Sequence, residues 1–239
     1  MSVPTPGPTS GPAPAADDAA APPLVGAAPA PLPPAAGAET PDARLALQDA
    51  VRRTAVALID AQVPFALVGG YAAWALGAPE PNHDADFAVA EQDADRARQV
   101  LAAAGLDVQE PAENWLFKAY HHGQLVDVIF RMVGEPVTRE QLAQAQELEV
   151  LAVRMPVIGA TEIVSAKLRV LGEHYCDFTL LLPMVRALRE QVDWPRVRAE
   201  VAEQPYARAF LFLADELGLT SDGGRRFAAT PGRGAPDEP

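Results

Sequence analysis

The chain has 239 residues, 49% of them hydrophobic and 21% charged, with a formal net charge of −13 at pH 7. This length suits one domain of ordinary size with a small appendage. The negative charge opposes general attraction to nucleic acids and anionic lipids, although it allows a local basic site. No stretch approaches the roughly 18 apolar residues of a membrane span, so we expect no membrane partner.

The N-terminal sequence and the cysteine content indicate in which cellular compartment the protein is found. The chain begins Met1-Ser2-Val3-Pro4, which has neither the basic nor the apolar region of a secretory signal. The single cysteine, Cys176, cannot form an internal disulfide, and no Cys-His arrangement typical of a reactive site surrounds it. We therefore expect a cytoplasmic protein in which Cys176 is a buried packing residue.

Two terminal segments differ in composition from the rest. Residues 1–41 consist mainly of Pro, Ala, Gly, Ser and Thr, and residues 222–239 form a second, shorter segment of this kind. Such segments hold too few large apolar groups to offset the entropy of ordering. Both are predicted to be disordered tails.

Between these tails, apolar patterns and Gly or Pro breaks predict alternating helices and strands. The predicted helices of the first part cover residues 43–62, 71–76 and 92–104. The predicted strands cover residues 65–68, 86–89, 115–120, 125–130 and 148–153. Four further helices are predicted over residues 161–171, 178–191, 195–203 and 205–217. The fold class is therefore mixed α/β (α+β): a small mixed-sheet domain over residues 42–155, then a helical segment over residues 156–221.

Three sequence features could carry chemistry. Gly69-Gly70 lies between a strand and a helix, Asp84-Ala85-Asp86 opens the next strand, and Asp127 lies within an apolar strand. A glycine pair is usually a tight turn, and Asp-x-Asp is common in loops. The buried carboxylate of Asp127 is harder to dismiss, because its charge must be compensated.

Taken together, these features explain one another. Residues i and i+2 of a strand point to the same face, so Asp84 and Asp86 can converge, and Asp127 on a neighbouring strand can complete the cluster. Oxygen ligands of this kind suit Mg²⁺. Gly69 and Gly70, at a helix N-terminus, allow a phosphate to approach backbone N–H groups. This combination is typical of two-metal phosphoryl transfer.

This order of motifs resembles the polymerase-β-like nucleotidyltransferase superfamily, over roughly residues 42–218. Within it, the chain resembles the small bacterial minimal nucleotidyltransferases and the AbiEii-type toxin-like proteins. The resemblance implies Mg²⁺-dependent transfer of a nucleoside monophosphate from an NTP, such as ATP, to an acceptor. It also implies that Asp84, Asp86 and Asp127 are metal ligands and catalytic residues. Lys167 stands where relatives have a lysine in the helical segment.

Three departures from the family pattern are visible. Many members have Ser where Gly70 stands, and Arg or Thr where Asn82-His83 precede the Asp-x-Asp pair. Of the Lys-Asp pair of relatives, only Asp177 is present. Weaker phosphate binding is one consequence, and a non-catalytic binding module that retains the fold is therefore an alternative.

Other residues have two interpretations each. Lys118, beside the strand of Asp127, could reach a triphosphate or be a solvated edge-strand lysine. His83 could touch a phosphate or cap a strand. His121 and His122 are expected to be solvated turn residues. Tyr71 could line the nucleotide pocket.

The leading hypothesis is a nucleotidyltransferase in which Gly69, Gly70, Lys118 and Lys167 bind the NTP. Its acceptor is a small molecule, a protein or tRNA. The alternative is the toxin of a toxin–antitoxin pair, with an antitoxin protein as partner. An RNA acceptor would need a basic patch, for which four arginines of the helical segment are candidates: Arg186, Arg189, Arg196 and Arg198.

Overall fold

The structure is a computed structural model that describes residues 41–81, 83–132 and 134–220. The predicted tails, apart from Pro41, lie outside the described residues, as does Asn82. Among the described residues, no helix combines the length and apolarity needed to cross a membrane.

A seven-stranded mixed sheet lies at the centre, with the strand order β3-β4-β5-β2-β1-β9-β8. Its strands are β1 (Phe65–Val68), β2 (Asp84–Val89), β3 (Asp107–Gln109), β4 (Leu116–His121), β5 (Gln124–Ile129), β8 (Gln146–Val150) and β9 (Val153–Val157). A separate two-stranded ribbon is formed by β6 (Arg131–Met132) and β7 (Glu135–Pro136). Strand β2 runs antiparallel to β1 and parallel to β5, which places these three strands side by side.

Eight α-helices accompany the sheet in the described chain. They are α1 (Pro41–Asp60), α2 (Gly69–Ala75), α3 (Ala94–Ala103), α4 (Arg139–Leu142), α5 (Ala160–Arg169), α6 (Phe178–Leu188), α7 (Trp194–Glu200) and α8 (Pro205–Glu216). Three of them have an N-cap residue whose side chain accepts a hydrogen bond from a backbone N–H of the first turn. These N-cap residues are Thr138 of α4, Asp177 of α6 and Asp193 of α7. The C-terminal part is helical, as predicted.

The two faces of the sheet differ in what covers them. One face carries large apolar side chains such as Leu67, Phe87 and Val128, which belong to the main core together with Leu58 of α1 and Leu101 of α3. The other face carries a smaller apolar cluster beneath α4, to which Ala66, Val68, Ala88 and Leu142 belong. Because side chains alternate along a strand, Asp84, Asp86 and Asp127 lie on this second, less covered face.

The predicted single strand over residues 148–153 is wrong. The chain forms a hairpin there, in which β8 and β9 pair antiparallel from Val150 and Val153 outward. Leu151 and Ala152 turn the chain with φ values of 52° and 61°, which suit a two-residue hairpin loop. The hairpin was missed because neither turn residue is Gly, Asn or Asp, the usual signals for this backbone conformation. The predicted domain boundary at residue 155 falls inside β9.

Two expectations about single side chains are also wrong. Cys176 is exposed, because it lies in the loop before α6 rather than under a helix. His121 is buried instead of solvated, and its Nε2 lies 3.1 Å from Oδ2 of Asp49 on α1. Its neighbour His122 is exposed, as expected of a turn residue.

Candidate active site

Three carboxylates meet on the less covered face of the sheet. Asp84, Asp86 and Asp127 each offer an oxygen that lies within 4.8 Å of the oxygens of the other two. The pairing of parallel strands β2 and β5 produces this proximity, because Asp86 and Asp127 are directly opposite in register. Asp84 lies two residues before Asp86 and therefore shares its face. The sequence prediction that these residues form one cluster agrees with this geometry.

The turn between β1 and α2 lies against this cluster. Gly69 has φ +63°, a conformation that L side chains rarely adopt, and a Cβ there would come within 2.7 Å of Cγ of Asp86. The backbone N–H of Gly70 donates to the Asp86 carboxylate and works to lower the pKa of that group. A Cβ at Gly70 would lie 2.9 Å from Cβ of Pro81. Pro81 therefore leaves no room for the serine that many members of the superfamily have at this position.

The electrostatics of Asp86 show the effect of this crowding. Burial first, and then the negative charges of Asp84 and Asp127, raise its pKa from 3.8 to about 7. The positive charge of Lys167 and the Gly70 hydrogen bond oppose this shift without cancelling it. The cluster thus holds more negative charge than the protein groups around it compensate, which is the condition under which a bound cation is most favourable.

Asp127 has a direct cationic partner that its strand pattern did not identify. Nζ of Lys118 lies 3.1 Å from Oδ1 of Asp127, because β4 and β5 are antiparallel with these two residues in register. The pKa of Asp127 is raised overall, first by burial and also by the charge of Asp84. The hydrogen bond and the charge of Lys118 work in the opposite direction. Burial alone would lower the pKa of Lys118, but its contacts with Asp127 raise it overall.

Glu113 is a further residue of this region that the sequence analysis missed. Its charge acts on both Lys118 and Asp127, raising the pKa of each. It lies in the loop before β4, where no motif or periodicity singles it out.

The other proposed site residues have different surroundings. Lys167 lies on α5, and its positive charge lowers the pKa of Asp86. Tyr71 does not line an open pocket: its side chain is buried and packs edge-on against Trp74 with 5.7 Å between ring centroids. His83 is exposed immediately before β2. Asp177 caps α6 by accepting a hydrogen bond from the N–H of Thr179.

The arginines considered for an RNA-binding patch are mostly paired with acidic side chains. Arg196 bonds to Glu162 and Glu200 at 2.6 and 2.8 Å. Arg198 bonds to Asp215 at 2.5 Å, and Arg189 to Glu190 at 3.1 Å. Three of the four candidate charges are thus neutralised locally, which weakens the case for a basic surface here.

Comparison with known proteins gives matches among solved structures only. No family model and no curated protein matches the chain. One solved match is assigned as a nucleotidyltransferase of Thermotoga maritima and is 16% identical to this chain. The alignment covers 51% of this chain and 82% of the matched chain, with a TM-score of 0.42. The protein ANT(2'')-Ia, in complex with adenylyl-2''-tobramycin, is 16% identical with 76% and 98% coverage and a TM-score of 0.40.

A third match is an antigenic nucleotidyltransferase-like protein of Paracoccidioides brasiliensis. It is 14% identical, covers 71% of this chain and 94% of its own, and has a TM-score of 0.42. The matched structures are nucleotidyltransferases or nucleotidyltransferase-like proteins. The AbiEii-type subgroup stays a prediction. At these identities and TM-scores, the case for a function has to rest on the residues of the site.

Proposed function

We propose that this chain is a Mg²⁺-dependent nucleotidyltransferase of the polymerase-β-like superfamily. It would transfer a nucleoside monophosphate from an NTP to an acceptor hydroxyl and release pyrophosphate. The observation that carries the proposal is the convergence of Asp84, Asp86 and Asp127, with ligand oxygens within 4.8 Å of one another, beside the Gly69-Gly70 turn. Neither feature alone would support an enzyme.

The donor set fits divalent cations. All three ligands are carboxylates, which are donors that Mg²⁺ takes in proteins. Burial first, and then the charges of Asp84 and Asp127, raise the pKa of Asp86. In the proposed roles, Asp84 and Asp86 hold two Mg²⁺ ions and Asp127 holds one of them. Bound Mg²⁺ supplies Lewis-acid stabilisation of the charge that develops on the α-phosphate and on the leaving pyrophosphate.

Groups of the protein itself would bind the phosphates and accept the proton of the acceptor. Backbone N–H groups at Gly69 and Gly70, together with the ammonium groups of Lys118 and Lys167, would receive the phosphate oxygens of the NTP. Asp127 would orient the acceptor hydroxyl and take its proton as the acceptor oxygen attacks the α-phosphorus. The bond between the α-phosphorus and the bridging oxygen then breaks, and pyrophosphate carries away that electron pair.

The proposal also covers the acceptor and the cellular location of the protein. The helices after β9 would shape the acceptor pocket. We therefore keep the division into a catalytic domain and a helical segment, and place the boundary after Val157, where β9 ends. A cytoplasmic location is consistent with an exposed, unpaired Cys176. We infer a small-molecule or protein acceptor ahead of tRNA, because three of the four candidate arginines are engaged with acidic side chains.

The test is transfer of label from α-³²P NTPs, each supplied separately with Mg²⁺ and cell extract. Wild-type protein should label one class of acceptor, and the Asp84→Ala variant should label none. Asp60→Asn is the matched control, because Asp60 is an exposed carboxylate at the end of α1, away from the cluster. Label on tRNA would overturn this preference for a small-molecule or protein acceptor and favour the toxin alternative. Absence of label with all four NTPs, in extracts where a known nucleotidyltransferase is active, would overturn the proposal.

A further inference from the structure

Both lysines of the chain act electrostatically on the carboxylate cluster. The sequence contains 19 Lys and Arg residues, and only Lys118 and Lys167 among them are lysines. Lys118 bonds to Asp127, and Lys167 acts on Asp86. An ammonium is a compact charge with three rotatable donors, whereas a guanidinium is a broad planar fork. In a chain that otherwise uses arginine, this placement singles out the two lysines for a role at the cluster.

The Lys118–Asp127 pair is partly enclosed. The side chain of Asp127 is 13% exposed and that of Lys118 is 28% exposed, so solvent screens their attraction less than at an open surface. Strand pairing holds the two residues opposite each other, and no loop has to move to form the bond. Lys118 therefore compensates the charge of Asp127 in the metal-free protein.

This arrangement conflicts with a metal ion on the same carboxylate. The ammonium lies 3.1 Å from Oδ1 of Asp127, and Mg²⁺ binds carboxylate oxygens at about 2.1 Å. A Mg²⁺ on that oxygen would thus be within about 5 Å of Nζ, where the two positive charges repel. Either the metal binds weakly or the ammonium moves to another anionic partner.

We propose that Lys118 competes with the divalent cation for Asp127 and releases this carboxylate when the phosphates of the nucleotide accept the ammonium. Metal and nucleotide then bind cooperatively: each is bound weakly alone and tightly in the presence of the other. The inference rests on the proposed function, because it assumes that Asp127 is a metal ligand. Lys118 is a substrate-binding residue in this scheme, since its ammonium passes from Asp127 to the phosphates of the nucleotide.

Measurement of Mn²⁺ affinity tests this competition without any turnover. Bound Mn²⁺ is determined from the electron paramagnetic resonance signal of free Mn²⁺, first with protein alone and then with α,β-methylene-ATP, which cannot transfer its nucleotide. The variants are Lys118→Met, which removes the charge, and Lys118→Arg, which keeps it. Arg208→Met is the matched control, because it removes one positive charge from an exposed position on α8.

In the absence of nucleotide, Lys118→Met should bind Mn²⁺ about tenfold more tightly than wild type, given the short distance between the competing charges. Lys118→Arg and Arg208→Met should remain within about twofold of wild type. The analogue should tighten Mn²⁺ binding strongly in wild type and much less in Lys118→Met, because that variant has no ammonium that the phosphates could draw away from Asp127. Circular dichroism and thermal melts establish that each variant is folded.

Two results would overturn the inference while leaving the proposed function intact. In one, wild type binds Mn²⁺ together with the analogue, but Lys118→Met has unchanged affinity for Mn²⁺ alone. In the other, Arg208→Met raises that affinity as much as Lys118→Met does, so the effect is one of net charge. If wild type binds no Mn²⁺ even with the analogue, both the proposed function and this inference fail.

Discussion

Gly69 lies in direct contact with the carboxylate of Asp86, at a distance that leaves no space for a side chain. A Cβ at residue 69 would come within 2.7 Å of Cγ of Asp86, and the backbone there already has φ +63°. The turn that begins α2 and the metal-ligand candidate on β2 are therefore mutually dependent. A substitution at this glycine affects the site through both backbone strain and steric exclusion.

Gly69→Ala should consequently abolish nucleotidyl transfer and lower stability by more than conformational strain alone. An alanine in the left-handed region costs about 1–2 kcal/mol, and displacement of Asp86 adds to this. Gly218→Ala is the matched control, because Gly218 has φ +65° and nothing within 4 Å of an added Cβ. Chemical denaturation should give a loss at least twice as large for Gly69→Ala. Equal losses would mean that the contact with Asp86 relaxes easily.

Asp84→Ala and Asp86→Ala should each eliminate transfer and leave the fold intact. Loss of one ligand from a shared metal site removes the metal, yet it also relieves repulsion among like charges. Melting temperatures in EDTA should therefore be no lower than that of wild type. Substantial residual activity in either variant would contradict the site assignment, whereas a large drop in melting temperature would indicate a structural role for the carboxylate.

The stability of the metal-free protein should depend on pH through Asp86. Its pKa is about 7 in the folded protein, raised by burial and by Asp84, and 3.8 is its ordinary value. The folded state therefore keeps a proton that the unfolded chain has lost, and stability falls as pH rises from about 4 through 7. In EDTA, the melting temperature should be several degrees lower at pH 8 than at pH 6. Mg²⁺ should offset this loss at pH 8.

Asp86→Asn provides the control for this pH dependence. The amide does not titrate, so the difference in melting temperature between pH 6 and pH 8 should shrink markedly. A wild-type profile that is flat between these pH values, or a profile that Asp86→Asn leaves unchanged, would show that Asp86 is ordinarily ionised in the folded protein.

Arg139→Leu should destabilise the protein without touching the carboxylate cluster. Arg139 on α4 bonds to both oxygens of Asp93 at 2.7 and 2.5 Å, and the side chain of Asp93 is only 6% exposed. Removing the arginine leaves the buried carboxylate of Asp93 without its bidentate partner, so the free energy of unfolding should fall by more than on loss of an exposed pair. Arg189→Leu is the comparison, because its partner Glu190 is 82% exposed and such pairs contribute about 0–1 kcal/mol. Urea denaturation measures both, and equal losses would contradict the argument.

Local sequence signals predicted most of the secondary structure around the site. The apolar run of β1, bounded by Pro64 and Gly69, was placed at its observed limits, and β5 was displaced by one residue. Such runs are reliable because a buried strand needs continuous apolar side chains and clear breaks at its ends. The hairpin of β8 and β9 lacked a clear break between its strands, since Leu151 and Ala152 are not typical turn residues.

Strand alternation also predicted that Asp84 and Asp86 share a face and that Asp127 needs a compensating charge. Both follow from the geometry of a single strand and from the cost of burying a carboxylate. The pattern could not show that Lys118 supplies part of that charge. This contact depends on the register of β4 against β5, and the antiparallel pairing aligns Lys118 with Asp127.

The sequence by itself thus determined most of the elements, the candidate ligands and the chemistry that three carboxylates and a glycine turn could perform. Tertiary structure decided which groups compensate those charges: Lys118 at Asp127, the charge of Lys167 at Asp86, and acidic partners at the arginines of the helical segment. The physical reason is the range of the interactions. Helices, strands and turns follow from residues a few positions apart, whereas ion pairs and the approach of Gly69 to Asp86 require segments that only the packed sheet brings together.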